Sequence, residues 1–87
     1  MIKQVIITKL SKAFDPILLE VVDQSEAHAG HYPGAAAGET HFKVTLVSAL
    51  FEGKTLVERH QWVHRVLKDE IPKIHALSLI LRIPDQI

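Results

Sequence analysis

A chain of 87 residues is long enough for one domain with one modest core, and too short to enclose a deep active-site cavity of its own. Hydrophobic residues make up 47% and charged residues 23%, a globular balance rather than a disordered one. Ten Lys and Arg offset ten Asp and Glu, which excludes non-specific attraction to a phosphate backbone, and the absence of cysteine excludes disulfides, thiolate metal ligation and thiol catalysis together.

From the N-terminus, Ile2, Val5, Ile6, Leu10, Ala13 and Phe14 recur every three or four residues, which predicts an amphipathic helix ending at Asp15-Pro16. Lys3 and Lys9 interrupt this stretch and no small-residue cleavage site follows, so it does not read as a signal peptide. No apolar run is long enough to cross a bilayer. The expected location is the cytoplasm, or an organelle if the chain is a mature form, with no membrane partner.

Ile17 to Gln24 is aliphatic and β-branched between Pro16 and a polar cluster, and predicts the first strand. His41 to Ser48 alternates, with Phe42, Val44 and Leu46 on one face and His41, Lys43 and Thr45 on the other. Thr55 and Glu58 form a T-x-x-E capping box, after which Leu56, Val63, Val66 and Leu67 share a helical face until Ile71-Pro72. Glu58, Asp69 and Glu70 read as caps and solvated surface. A last strand runs from about His75 to Ile83, with His75, Leu77, Leu79, Leu81 and Ile83 in one phase.

The order is thus α-β-β-α-β, an α+β domain with a three-stranded mixed sheet: strands one and two antiparallel, strands two and three parallel through a helical crossover. In that topology the connection between strands one and two lies at the end where strands two and three begin. His28, His31, His41 and His75 then share one rim.

Six histidines stand in the sequence, and each has a plain structural reading beside a chemical one. His60 falls in the apolar face of the second helix and reads as a core residue. His60 and His64 are spaced i, i+4 like the zinc pair of H-E-x-x-H, but Gln61 stands where the general-base glutamate would be, so the protease reading fails. His28 and His31 sit in a long connection of the kind that is either functional or flexible. His75, at the first position of its strand and in the core phase, suits a ligand or proton carrier, or simply closes the core edge. Trp62 is either part of a contact surface or half-buried against the first helix. No P-loop, dinucleotide fingerprint or nucleophile arrangement occurs, so no enzymatic activity is expected.

Ser25-Glu26-Ala27-His28, GETHFKVTLVS, FEGKTLVERHQ and IHALSL, in this order, resemble the BolA family over nearly the whole chain. The resemblance implies a single BolA-like domain over residues 1–87, with a fold similar to the type II KH domain. It also implies a non-enzymatic role as partner of a monothiol glutaredoxin in iron-sulfur cluster handling and iron homeostasis. In that role the chain supplies histidines to a shared [2Fe-2S] cluster, while the glutaredoxin and glutathione supply thiolates. By motif, His75 is the C-terminal ligand and His28 the loop ligand, with His31 as the alternative. No cluster is expected in the isolated chain, which would be a monomer or weak homodimer. The chemistry agrees, because imidazole suits iron and two histidines alone cannot hold a two-iron cluster.

The alternative is a KH-like nucleic-acid-binding transcriptional regulator. A KH domain clamps the backbone with a G-x-x-G loop, whereas Gly53 here stands alone and Gly30 and Gly34 are spaced G-x-x-x-G. DNA contact would rest on Lys43, Lys54, Arg59 and Arg65. A third reading, zinc held by His28, His31 and His75 without a partner, needs an otherwise unanchored loop to become ordered.

Overall fold

A computed structural model describes residues 1–24 and 41–86. Among them the elements are helix α1 (Ile2–Phe14), strand β1 (Leu18–Asp23), strand β2 (His41–Val47), helix α2 (Leu56–Val66) and strand β3 (Ala76–Arg82), joined by short 3-10 turns. The described strands form one sheet in the order β1-β2-β3, with β1 antiparallel and β3 parallel to β2. The architecture is the α+β arrangement expected from the sequence, although α2 ends at Val66, more than a turn before the expected stop at Ile71-Pro72.

Pairing follows the side-chain alternation. Leu19, Val21, Phe42, Val44, Leu46, Leu77, Leu79 and Leu81 share one face of the sheet, and α1 and α2 lie on it. Helix α1 contributes Ile6, Leu10 and Phe14, all with no exposed surface, while Val5 stays 37% exposed at the edge of the predicted stripe. The helix stops where Asp15 takes a left-handed conformation (φ 44°, ψ 57°) and its N–H donates to Ser11 O, just before Pro16. Asp tolerates that region better than most residues do.

Phe14, Phe51 and Trp62 form the aromatic centre of the core. The Phe14 ring lies 5.0 Å from Phe51 and 4.8 Å from the edge-on Trp62. Trp62 is therefore the half-buried packing residue rather than an exposed anchor. Ser48 locks the same corner: its buried hydroxyl donates to Phe14 O at 2.6 Å and accepts from the Leu50 N–H at 3.1 Å.

Helix α2 opens on the capping box expected from T-x-x-E. The Glu58 N–H donates to Thr55 Oγ1 at 3.1 Å, and the Thr55 N–H donates to Glu58 Oε1 at 2.8 Å. These bonds hold the Glu58 carboxyl below the usual glutamate range, the Thr55 backbone N–H contributing most. A lowered folded-state value means the stabilisation is complete above the ordinary glutamate pKa, about 4.3. It is lost as pH falls through the folded value. The stability difference between wild type and Glu58→Gln should thus be flat above about pH 5 and shrink in acid, read from urea midpoints at several pH values. Thr55→Ala should cost about 1 kcal/mol at neutral pH.

Two residues of this region differ from expectation. Leu56, predicted in the buried stripe, is 62% exposed because it occupies the first turn, ahead of the point where the helix meets the sheet. Glu70, predicted as solvated, is buried. Its carboxylate receives Lys9 Nζ at 2.9 Å and 3.0 Å, and Asp69 lies 3.7 Å from the same ammonium, so α1 is tied to the segment after α2. The Glu70 hydrogen bond, more than the two carboxylate charges, holds the Lys9 pKa above its ordinary value.

Candidate functional site

The parallel register pairs His41 with Ala76, so His75 enters the sheet directly beside the first residue of β2. The two imidazole rings lie 4.9 Å apart, centroid to centroid, at 49°. His41 is 6% exposed, whereas His75 is exposed. The Gln24 N–H donates to His41 O at 2.7 Å, which brings the end of β1 to the same place. The chain leaves the described residues at Gln24 and re-enters them at His41.

His75 differs from its predicted core-facing position. The 3-10 turn Ile71–Lys73, with Pro72 inside it, brings the chain out extended only at Ile74 (φ −119°, ψ 155°), and the ladder begins at Ala76. Ile74 packs against the core instead, and His75 falls outside it. Its burial pattern is that of a presented side chain, with the His41 ring as one wall.

His41 is the residue that the sequence reading placed on the rim without a role. The signal was available: a histidine opening β2 and another just before the parallel β3 must be neighbours once the crossover is accepted. His28 and His31 lie outside the described residues.

Two imidazoles in a chain without cysteine cannot complete a two-iron centre. Among the described residues no group of three or more His, Asp or Glu side chains converges on a metal position.

The basic residues considered for nucleic acid fall into two kinds. Lys43 is exposed on the sheet face opposite the helices, and Lys54 and Arg65 are exposed beside Trp62, with Lys54 Nζ 5.4 Å from the ring centroid. Arg59 must be removed from the set. It is 7% exposed, its Nε donates to Lys54 O at 3.0 Å, and its Nη1 donates to Leu81 O and Gln86 Oε1, both at 3.1 Å. A guanidinium so placed holds α2, β3 and the C-terminal turn together, with its Nε and Nη1 donors committed to the protein. Gly53 occupies a turn at φ 79°, where an L side chain would be strained.

His60 is half-buried, not in the core. It lines an open groove with Leu56, Val57, Gln61 and His64. The predicted apolar face was read one residue too wide, because Arg59 rather than His60 is the buried member of that turn.

No helix among the described residues is long and apolar enough to cross a membrane. A sequence profile described as BolA-like protein matches residues 10–86. The chain is 45% identical over 84 residues to the SufE-like protein 1, chloroplastic/mitochondrial, of Arabidopsis thaliana, covering 91% of this chain and 23% of that protein. It is 44% identical over 80 residues to the DNA-binding transcriptional regulator BolA of Escherichia coli K12, covering 91% of this chain and 72% of that one. The solved BolA domain of SufE1 from Arabidopsis thaliana superposes with a TM-score of 0.85 at 43% identity, over 98% of this chain and 94% of that one.

Proposed function

Because this chain belongs to the BolA family, we propose that it serves as a non-enzymatic partner of a monothiol glutaredoxin in binding, assembling or transferring a shared [2Fe-2S] cluster. His75 supplies one ligand, and the segment between Gln24 and His41 supplies the other through His28, with His31 as the alternative. The glutaredoxin and glutathione provide the thiolates. The observation that carries the reading is the exposed His75 ring beside His41, at the sheet end where that segment leaves and returns. Mixed imidazole and thiolate ligation is a known state of two-iron clusters, and imidazole ligation raises their potential.

The test is a titration of a monothiol glutaredoxin holding a [2Fe-2S] cluster. Visible absorption and circular dichroism of the cluster should change up to one equivalent, and His75→Ala should abolish the change. His75 is exposed, so that variant should keep its fold and lie within about 0.5 kcal/mol of wild-type stability. An unchanged spectrum with excess wild-type protein rejects the proposal.

A DNA-binding reading is favoured by the name of the Escherichia coli relative. On this chain it rests on Lys43, Lys54 and Arg65. Binding to a short duplex at low salt should weaken with Lys54→Ala and Arg65→Ala, each lowering the salt slope by about 1. No binding at low salt removes this reading.

A further inference from the structure

We propose that His60 and His64 form a second metal site, on α2 rather than at the sheet end, selective for late first-row divalent ions such as Cu2+, Ni2+ and Zn2+. The two histidines stand one helical turn apart within Leu56–Val66, a spacing that puts Cβ atoms roughly 5–6 Å from each other on one face. Both line the same open groove.

The second observation concerns the proton. His60 Nδ1 lies 2.8 Å from Leu56 O. A carbonyl only accepts, so Nδ1 carries the hydrogen, and in the neutral ring the lone pair is on Nε2. Metal-binding histidines recurrently use this arrangement, one ring nitrogen anchored to a carbonyl and the other directed at the ion. His64 is exposed one turn further on and has rotamer freedom to meet the same ion.

The surroundings set the metal class. Leu56 and Val57 line the groove with apolar side chains, Gln61 offers only a neutral amide oxygen, and the Glu58 carboxylate is engaged by Thr55. An all-imidazole pair with water in the remaining positions disfavours Ca2+ and Mg2+ and should bind Cu2+ most tightly. With Gln61 in place of a general base the site binds a metal without hydrolytic chemistry.

The experiment is titration of the full chain with Cu2+ and with Ni2+, followed by the melting temperature and by paramagnetic broadening of assigned histidine ring signals. His60 and His64 should broaden together, and the melting temperature should rise because the ion staples two turns of α2. Losing one arm of the chelate through His64→Gln should weaken binding at least about tenfold. Moving the second imidazole by one residue, in the double variant His64→Gln with Arg65→His, should not restore it, since i, i+5 positions diverge on a helix. His75→Ala should leave the site intact, which separates this result from the cluster titration. Equal broadening in the His64→Gln variant, full restoration by the shifted variant, or no response of His60 and His64 in the wild type overturns the proposal.

Discussion

Phe14→Ala is expected to lower stability by about 3–5 kcal/mol, enough to leave a domain of this size largely unfolded at physiological temperature. The ring has no exposed surface and is in contact with two others, Phe51 and Trp62. Truncation forfeits its transfer energy, leaves a cavity between helix and sheet, and removes both aromatic pairings. It also loosens the last turn of α1, whose carbonyl is held by the buried Ser48 hydroxyl. Phe14→Leu keeps most of the volume and should cost less than half as much. Urea denaturation followed by far-ultraviolet circular dichroism distinguishes the two, and an alanine variant as stable as the leucine variant would place the core elsewhere.

Arg59→Ala should cost about 2–4 kcal/mol, and Arg59→Lys should recover little of it. The guanidinium bonds two backbone carbonyls, Lys54 O and Leu81 O, and the Gln86 amide oxygen from one planar fork. It also faces the Phe51 ring at 5.9 Å. An ammonium ends in a single point and cannot reach both backbone carbonyls, so it would give up the bond to Lys54 O or to Leu81 O, while Gln86 Oε1 keeps the Ile83 N–H. For an 87-residue chain the loss corresponds to a melting temperature lower by more than roughly 10 °C. A shift under about 3 °C would show that the three bonds carry little net energy. DNA binding is therefore tested through Lys43, Lys54 and Arg65, since an Arg59 variant would mix any loss of binding with a loss of stability.

Most of the fold was legible because each element carries its own local signal. The Asp15-Pro16 stop, the T-x-x-E box and the alternation of HFKVTLV each point to one structure, and the topology then follows from the crossover rule. Long-range pairings were hidden. Nothing near Glu70 announces Lys9, which lies 61 positions away, and nothing near Arg59 announces Leu81. Charged residues that the composition assigns to solvent were among those misplaced, because burial of a charge depends on partners supplied by the fold. The site was half legible. The meeting of His41 and His75 follows from parallel register, but the exposure of His75 depends on where the turn at Pro72 releases the chain, a boundary that periodicity does not fix. His28 and His31 rest on the family motif.

The strand order has a consequence for how this molecule avoids its own copies. Strand β3, ALSLILR, is the most apolar of the three, carries no proline, and lies at an edge of the described sheet. Carbonyls alternate sides along a strand, and the Arg82 carbonyl turns inward to accept the Ser48 N–H. The preceding one, of Leu81, therefore turns outward, where a strand from another molecule would dock. Arg59 already occupies it. The residue that anchors α2 thus also occupies part of the edge of the described sheet, where intermolecular pairing would begin. Losing it would free that outward carbonyl and make the chain more prone to β-mediated self-association.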